Sequence, residues 1–257
     1  SFSNRYGDAI RYVATTRNYI VKFGVTQPFD CSYLPDKQEQ LLIYVPAEKE
    51  SKVPYSHLIQ AGFRRSGEQI YRPHCPTCQK CQSIRVDVRQ FKPSKSQRRI
   101  LNKNADVQCR IVEYGSAYFN QQLAQYFDLY SQYICARHQD GSMFPPNEDQ
   151  FTDFIYSQWQ APLLLEASLN GEVIAIAVTD ETETGFSAFY TFFSPFMPQR
   201  SIGTYMILKQ IEYSLKYDYD YLYLGYQIDE CRKMNYKSAF VPNERFNGEL
   251  WVEGSKK

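Results

Sequence analysis

Three thiols recur at intervals of three in the stretch Tyr71-Arg-Pro-His-Cys-Pro-Thr-Cys-Gln-Lys-Cys81: Cys75, Cys78 and Cys81, directly after His74. Thiolates two residues apart on a tight turn can point at one centre. The spacing therefore suggests a metal or iron–sulfur knuckle, with Cys31 or His74 as the fourth ligand. Three reduced thiols that bind nothing, in a Pro-containing loop, satisfy the same pattern, and a complete zinc site usually brings two Cys-x-x-Cys pairs. A second concentration of chemistry is cationic. Lys92, Lys95, Arg98, Arg99 and Lys103 crowd one segment with almost no acid among them. Each can neutralise a phosphate and release a counterion, although a solvated helix face has the same composition. A third is the turn Arg137-His-Gln-Asp-Gly-Ser-Met143, whose Asp140 and His138 are groups able to do acid–base work.

The elements that must hold these groups show in the periodicity. Gln40-Leu-Leu-Ile-Tyr-Val45 is an apolar run short enough for a buried strand, ended by Pro46. Residues 55–61 read as two helical turns stopped by Gly62, and residues 63–71 as a hairpin turning at Ser66-Gly67 that delivers the chain into the cysteine stretch. Residues 83–88 alternate with period two, and Ser94 stands as the N-cap of the basic helix. Residues 107–112 form a strand candidate. Ser116 caps a helix to about residue 138, with Phe119, Leu123, Tyr126, Phe127, Tyr130 and Ile134 on one stripe, and a shorter helix is expected over 148–159. Residues 163–169 and 172–178 flank Asn170-Gly171, a pair that accepts the positive φ angles of a type I′ turn. A strand over 186–193, a helix over 202–216 and a strand over 220–224 follow. Residues 1–30 show no firm periodicity.

At 257 residues the chain can hold one large domain or two modest ones. Its composition, 43% hydrophobic and 22% charged, is that of ordinary globular material, and its 22 Tyr and 17 Phe favour strands and stacking surfaces. The net charge of +1 means that any nucleic-acid contact must come from local patches. No run approaches the roughly 20 apolar residues that span a bilayer, which argues against a membrane partner. The start of the sequence does not read as an export signal, so the seven cysteines are expected to be reduced, in a cytoplasm. Nucleotide binding through Gly-x-Gly-x-x-Gly or a Walker loop, and hydrolase chemistry at a Gly-x-Ser-x-Gly elbow, are disfavoured because none of these motifs occurs. A meander of strands, a helix and a further strand imply an α+β fold with helices against a sheet.

The segment Tyr221-Leu-Tyr-Leu-Gly-Tyr-Gln-Ile-Asp-Glu-Cys-Arg-Lys-Met-Asn-Tyr-Lys237 is too particular to be generic. It resembles the arginyl-tRNA–protein transferase family, whose members carry Gly-Tyr-x-Ile-x-x-Cys-x-Lys-Met-x-Tyr-Lys. Here those positions are Gly225, Tyr226, Ile228, Cys231, Lys233, Met234, Tyr236 and Lys237. Agreement continues through Val173-Ile-Ala-Ile-Ala-Val-Thr-Asp180, Ser187-Ala-Phe-Tyr-Thr-Phe-Phe193 and Arg200-Ser-Ile-Gly-Thr-Tyr205. In the front half, Cys31-Ser-Tyr-Leu-Pro35, Gly62-Phe-Arg-Arg-Ser-Gly67, Tyr71-x-Pro-x-Cys75 and Phe91-x-Pro-Ser-Lys-Ser-Gln97 are similar to the short bacterial branch, the leucyltransferases. The resemblance runs from about residue 28 to 251 and leaves residues 1–27 unplaced.

The resemblance implies an aminoacyltransferase that moves leucine from leucyl-tRNA to the α-amine of proteins beginning with Asp or Glu. The product would be an N-degron, handed to the downstream proteolytic machinery. It further implies a GNAT-like fold (that of the acyl-CoA N-acyltransferases), a mixed sheet flanked by helices over residues 106–257. A smaller cysteine-containing region with the basic helix would precede it, over 28–105. In the wider family, N-terminal cysteines bind zinc or an iron–sulfur cluster in a regulatory capacity. This chain keeps Cys31 but has Leu34 where the eukaryotic branch carries a second cysteine, so the candidate ligand set is Cys31, Cys75, Cys78 and Cys81.

Such a reaction is aminolysis of an activated ester. The attacking α-amine has a reference pKa of about 8, so a useful fraction is neutral at physiological pH. It still loses a proton as the tetrahedral intermediate forms, while the ester oxygen gains negative charge. The protein must therefore supply orientation, an oxyanion donor and a proton acceptor. No protein nucleophile or cofactor is required, and Cys231 is read as a packed thiol. Lys233 and Lys237 can pair with the acceptor's acidic side chain or with the tRNA 3′ end, or can be surface cations. Tyr190, Tyr226 and Tyr236 can donate to the oxyanion or stack on the terminal adenine, or can be core tyrosines. Asp140 and Glu230 are the candidate proton acceptors, with His138 behind them. Lys92, Lys95, Arg98, Arg99 and Lys103 are the candidate tRNA contacts. Three rivals remain open: an arginyl donor, a non-catalytic zinc-knuckle RNA-binding module, and an acyl-CoA-dependent N-acyltransferase.

Overall fold

A computed structural model describes residues 12–16, 19–46 and 53–254, and the chain divides into two compact units. The first is Ser1–Arg85 with Gly225–Ala239 and Asn243–Lys257; the second is Val86–Leu224 with Phe240–Pro242. These units are drawn differently from consecutive domains meeting after residue 105. The basic helix lies in the second unit, and most of the C-terminal signature lies in the first.

In the first unit, β1 (Tyr12–Thr16), β2 (Tyr19–Val25), β3 (Phe29–Asp30), β4 (Gln38–Glu39) and β5 (Leu41–Val45) lead to helix α1 (Tyr55–Gln60). They are followed by β6 (Arg64–Ser66), β7 (Gln69–Pro73) and the start of β8 (Gln82–Asp87). Five of these strands form an antiparallel sheet in the order β1-β2-β5-β7-β6, while β3 pairs with β4. The apolar run at 40–45 is the middle strand of that sheet, with Leu42, Ile43 and Tyr44 buried. The β6–β7 hairpin turns where Ser66-Gly67 placed it, pairing Ser66 with Gln69. Of the unplaced segment 1–27, residues 1–11 and 17–18 lie outside the described residues. The rest contains β1 and β2, paired from Tyr12 opposite Phe23 to Thr16 opposite Tyr19. Their β-branched and aromatic residues suit strands, but Gly24 interrupts the alternation that would have revealed β2.

The second unit contains α2 (Lys95–Lys103), β9 (Gln108–Glu113), α3 (Ala117–Arg137), α4 (Glu148–Ile155), β10 (Leu163–Leu169), β11 (Glu172–Glu181) and β12 (Gly185–Phe193). Helix α5 (Ile202–Lys216) and the start of β13 (Tyr221–Gln227) complete it, after which β14 (Asn243–Phe246) and β15 (Trp251–Glu253) form an antiparallel hairpin of the first unit. Strands β9 to β13 are neighbours in that order. All pairs are antiparallel except β12 with β13, joined through α5 and parallel.

Alternation along β10 and β11 supplies two apolar faces. Leu164, Ile176 and Val178 pack with Phe192 against Phe119, Tyr126, Tyr130 and Ile134 of α3 and Phe151 and Ile155 of α4. Leu165, Ala167, Ala175 and Ala177 pack against Ile202, Tyr205 and Met206 of α5. Each fully buried large side chain contributes about 1.5–3 kcal/mol of transfer free energy, so both faces are needed to hold the layers. The result is an α+β architecture, a mixed sheet with helices on both faces. The buried Glu166 carboxylate accepts hydroxyl hydrogen bonds from Tyr118 (2.8 Å) and Tyr126 (2.5 Å), which offsets its desolvation.

Two ends differ from the periodicity. Helix α4 stops at Ile155 rather than 159, because Tyr156 turns extended (ψ 146°) and the Ser157 hydroxyl accepts the Trp159 N–H, an alternative to the helical bond. Strand β13 runs past 224 to Gln227 through Gly225. Among the described residues no helix is long and apolar enough to cross a membrane.

The parallel β12–β13 pair leaves no room at Gly185, where a Cβ would lie 1.9 Å from the Tyr221 carbonyl oxygen. Gly185→Ala is expected to destabilise the protein by more than ~2 kcal/mol. Urea unfolding checks this; a midpoint equal to the parent's contradicts it.

Candidate functional site

The cations of α2 are held on a well-fixed helix. Ser94 and Gln97 form a capping box: the Gln97 N–H donates to the Ser94 hydroxyl (3.2 Å) and the Ser94 N–H to the Gln97 amide oxygen (2.9 Å). Buried Asn104 closes the far end, its amide donating to the carbonyls of Ile100 and Arg200. Lys92, Lys95, Arg98, Arg99 and Lys103 are all exposed. Arg98 donates to the Pro93 carbonyl and Lys103 to that of Gln199, and among the described residues none of the five is paired with a carboxylate. The helix thus presents uncompensated positive charge.

The second unit also holds Asp140 and Tyr190. Asp140 is exposed in the turn after α3, where the His138 imidazole lies 3.4 Å from the Tyr133 hydroxyl. Tyr190, on β12, packs edge-on against Tyr133 and Phe154, and burial pushes its phenol well above the ordinary range. At neutral pH it keeps its proton and can act only as a neutral hydroxyl.

The remaining signature residues belong to the first unit. Tyr226 is buried at the end of β13, and its hydroxyl donates to the Gly62 carbonyl (3.0 Å), with that of Tyr71 3.3 Å away. Its single proton is thus committed to the backbone, leaving none for an oxyanion in this arrangement. Cys231 is packed with Leu34 and Ile228 in a small buried cluster. Lys233 is exposed. Glu230 is also exposed and pairs with Lys80 at 3.0 Å, which holds its carboxyl below the usual range and weakens it as a proton acceptor.

Lys237 differs from these surface groups. Only 6% exposed, it lies on the short 3₁₀ helix Asn235–Ala239, and its amine donates to the Tyr226 carbonyl with Met234 sulfur 3.6 Å away. The ring of Tyr236, itself 49% exposed, lies 5.4 Å from the amine. Burial, reinforced by the Arg64 guanidinium, pushes the amine down to about 7. Neither this burial nor the part played by Arg64 shows in the periodicity; the doublet Arg64-Arg65, inside Gly62-Phe-Arg-Arg-Ser-Gly67, is the signal the sequence offers.

The four cysteines named as ligands do share one place. Cys31, Cys75, Cys78 and Cys81 line a cavity of about 50 Å³ with Leu34, Leu41, Tyr71 and Tyr226 among its other walls. The Cys31 sulfur accepts backbone N–H groups of Tyr33 and Leu34 at 3.4 Å, whereas the Cys75 thiol donates to the Gln40 carbonyl. Burial, then the neighbouring thiols, pushes Cys81 up to about 12. Among the described residues no three His, Cys, Asp or Glu side chains gather closely enough to hold a metal ion.

Lys237 links folding to pH. An ordinary lysine titrates near 10.5 and the folded amine at about 7, so between these limits the unfolded chain binds the extra proton and stability rises with pH. Lys237→Met, which removes the buried charge, is expected to gain most over the parent below pH 7 and to lose that advantage as pH rises toward 10.5. Urea unfolding across this range checks the sign; a constant difference contradicts it.

Comparison with known proteins agrees with this arrangement of motifs. The family models "Arginine-tRNA-protein transferase, N terminus" and "Arginine-tRNA-protein transferase, C terminus" match residues 29–99 and 125–247. The aspartate/glutamate leucyltransferase of Pseudoalteromonas atlantica is 49% identical over 237 residues, 92% of this chain and 99% of that protein. Those of Marinobacter nauticus and Aeromonas hydrophila subsp. hydrophila are 45% and 43% identical, covering 91% and 92% of this chain and 96% of each relative. A solved structure of L-PGS from Bacillus licheniformis is similar at a TM-score of 0.46 and 14% identity, over 57% of this chain and 45% of that one, too loosely to bear on function. With both family models matched in order along one sequence, the chain belongs to the arginine-tRNA-protein transferase family.

Proposed function

We propose that this protein transfers leucine from leucyl-tRNA to the N-terminal α-amine of proteins beginning with Asp or Glu, creating an N-degron for downstream proteolysis. The observation that carries the reading is near-full-length identity of 43–49% to leucyltransferases that act on these acceptors. In this reaction the acceptor amine attacks the ester carbonyl of leucyl-tRNA. The tetrahedral intermediate collapses by expelling the ribose oxygen, and one proton passes from the amine to that oxygen. Nothing in the sequence of bonds made and broken calls for a cofactor. Cys31, Cys75, Cys78 and Cys81, which line one cavity, are the side chains that would hold zinc or an iron–sulfur cluster, whose place would be in shaping the unit or in sensing rather than in the transfer step.

Side-chain roles follow from the state of each group. Tyr190 and Tyr236, as protonated phenols, are the hydroxyls suited to an oxyanion or to stacking on the terminal adenine. Tyr226 is reassigned to holding the backbone of Gly62 and Tyr71. Asp140 is the freer carboxylate for proton transfer, Glu230 being tied to Lys80. Exposed Lys233 suits a phosphate near the tRNA 3′ end. The second unit, with its parallel β12–β13 pair and helices on both faces, is read as GNAT-like. A cytoplasmic location is part of the same reading, supported by seven unpaired thiols.

Helix α2 and the segment leading into it are proposed to carry the tRNA contact through Lys92, Lys95, Arg98, Arg99 and Lys103. Replacing Arg98 and Arg99 together with Glu is expected to weaken tRNA binding and to reduce the log K against log salt slope by about 1 per lost contact; an unchanged slope removes the helix from the interface. The activity is tested with labelled leucyl-tRNA and arginyl-tRNA and a peptide beginning with Asp. Leucine is expected on the peptide's α-amine. Arginine alone would move the donor assignment, and no transfer from either would overturn the reading.

A further inference from the structure

Phe196 is the most exposed large apolar side chain among the described residues, at 73%. It belongs to the second unit, in Ser194-Pro195-Phe196-Met197-Pro198, between β12 and the 3₁₀ turn Pro198–Arg200 that leads into α5. Scattered apolar residues on a surface are ordinary, but this one is held in place from both sides. Before it, the Ser194 N–H donates to the Ile174 carbonyl (2.8 Å), and the Phe196 N–H donates to the Ser194 hydroxyl (3.4 Å). After it, Met197 turns inward and packs on the core shared by Ile202, Tyr205 and Met206 of α5 and Ile100 and Leu101 of α2. The Lys103 amine then donates to the Gln199 carbonyl and the Asn104 amide to that of Arg200, both at 2.8 Å. With prolines at 195 and 198 fixing two φ angles, the ring is presented to solvent by a braced loop.

The same bracing places Phe196 beside positive charge. Lys95, Arg99 and Lys103 recur at every fourth position, so they form one column along α2, about 12 Å from first to last. The column ends at Lys103, whose partner Gln199 lies three residues beyond Phe196. The Arg200 charge is met by the Asp106 carboxylate at 2.8 and 2.9 Å, whereas Lys103 donates to a carbonyl, which leaves its charge unneutralised.

We infer that Phe196 is a stacking platform for an unpaired base of the donor tRNA's 3′ end, with the adjoining phosphates on the cationic column of α2. The inference rests on the proposed transfer from leucyl-tRNA and adds the place where the single-stranded end of the donor is gripped. Cations alone hold a paired stem as readily as a single strand. An aromatic face tells them apart, because a base inside a duplex is already stacked on both sides and only an unpaired base has a face to offer. A phenyl ring carries no hydrogen-bond donor or acceptor. It therefore stacks on any base and contributes affinity and position, not the choice between leucyl and arginyl donors. A protein docking on this loop would cover the ring whatever the state of the tRNA 3′ end, and that difference can be measured.

The test is equilibrium binding, at one fixed salt concentration, of uncharged leucine tRNA and of the same tRNA with its unpaired 3′ nucleotides removed. The proteins are the parent, Phe196→Ala, Phe196→Leu and Phe196→Trp, each with a urea midpoint equal to the parent's, as expected for an exposed position. Phe196→Ala is expected to weaken binding of the intact tRNA about 10-fold and to leave that of the trimmed tRNA unchanged. Phe196→Trp is expected to keep the parent's affinity, and Phe196→Leu to behave like Phe196→Ala. An unchanged affinity in Phe196→Ala, equal losses with both tRNAs, or full recovery with leucine overturns the inference. A second readout reports the contact itself: the emission of Phe196→Trp is expected to be quenched by the intact tRNA beyond the parent's response, and not by the trimmed one. Equal quenching by both overturns the inference as well. If the parent binds neither tRNA, it is the proposed function that falls.

Discussion

The parallel pairing of β12 with β13 is the constraint on which the second unit hangs. Parallel neighbours cannot be joined by a tight turn, so the chain must cross a face of the sheet, and α5 is that crossing. Once α5 lies there, the small side chains Ala167, Ala175 and Ala177 are what let it approach the sheet, while the larger Leu164, Ile176 and Val178 face α3. The same pairing draws the Tyr221 carbonyl so near Gly185 that any side chain is excluded. Strand β13 then hands the chain directly to Gly225, Tyr226 and the remainder of the signature. Fold and chemistry are consecutive in the sequence at this point.

The protein handles buried polar groups in two ways. Glu166 is surrounded by donors, the hydroxyls of Tyr118 and Tyr126, with the Arg110 guanidinium stacked 4.0 Å over the Tyr118 ring. Asp229 is gripped by two guanidinium nitrogens of Arg245, each at 3.1 Å. Both arrangements are closed, with the charge met inside the chain. Lys237 is open by comparison. It has a carbonyl, a thioether and the face of an exposed ring, with no carboxylate paired to it among the described residues, and burial, then the Arg64 guanidinium, lowers its proton affinity.

Much of this was legible from local rules. Ser94 with Gln97, Ser116 before α3, and Asn170-Gly171 between β10 and β11 each declared an element boundary through a hydrogen bond or a turn angle that depends only on near neighbours. The apolar stripe of α3 and the alternation of β10 and β11 declared which faces are buried. What was not legible depends on residues distant in sequence. That Tyr226 spends its proton on Gly62, or that Arg64 sits over Gly225, requires segments more than 150 residues apart to meet. Glu230 looked like a base because the sequence does not show Lys80 beside it. The spacing of Cys75, Cys78 and Cys81 suggested that they share one place, and the cavity they line is joined by Cys31 from a segment more than 40 residues upstream.

The division of the chain also has a consequence for how the protein is made. The second unit is almost continuous, from Val86 to Leu224, so nearly all of it is synthesised before the signature is translated. The first unit draws on segments either side of the second, with Gly225–Ala239 and Asn243–Lys257 joining strands synthesised earlier. Its early sheet must wait through some 140 residues of synthesis for the segment that carries Tyr226 and Lys237, an entropically slow closure of a long loop. The setting of Lys237 is therefore among the last features to form. A chain truncated before residue 225 would lack it entirely, even with the second unit's sheet in place.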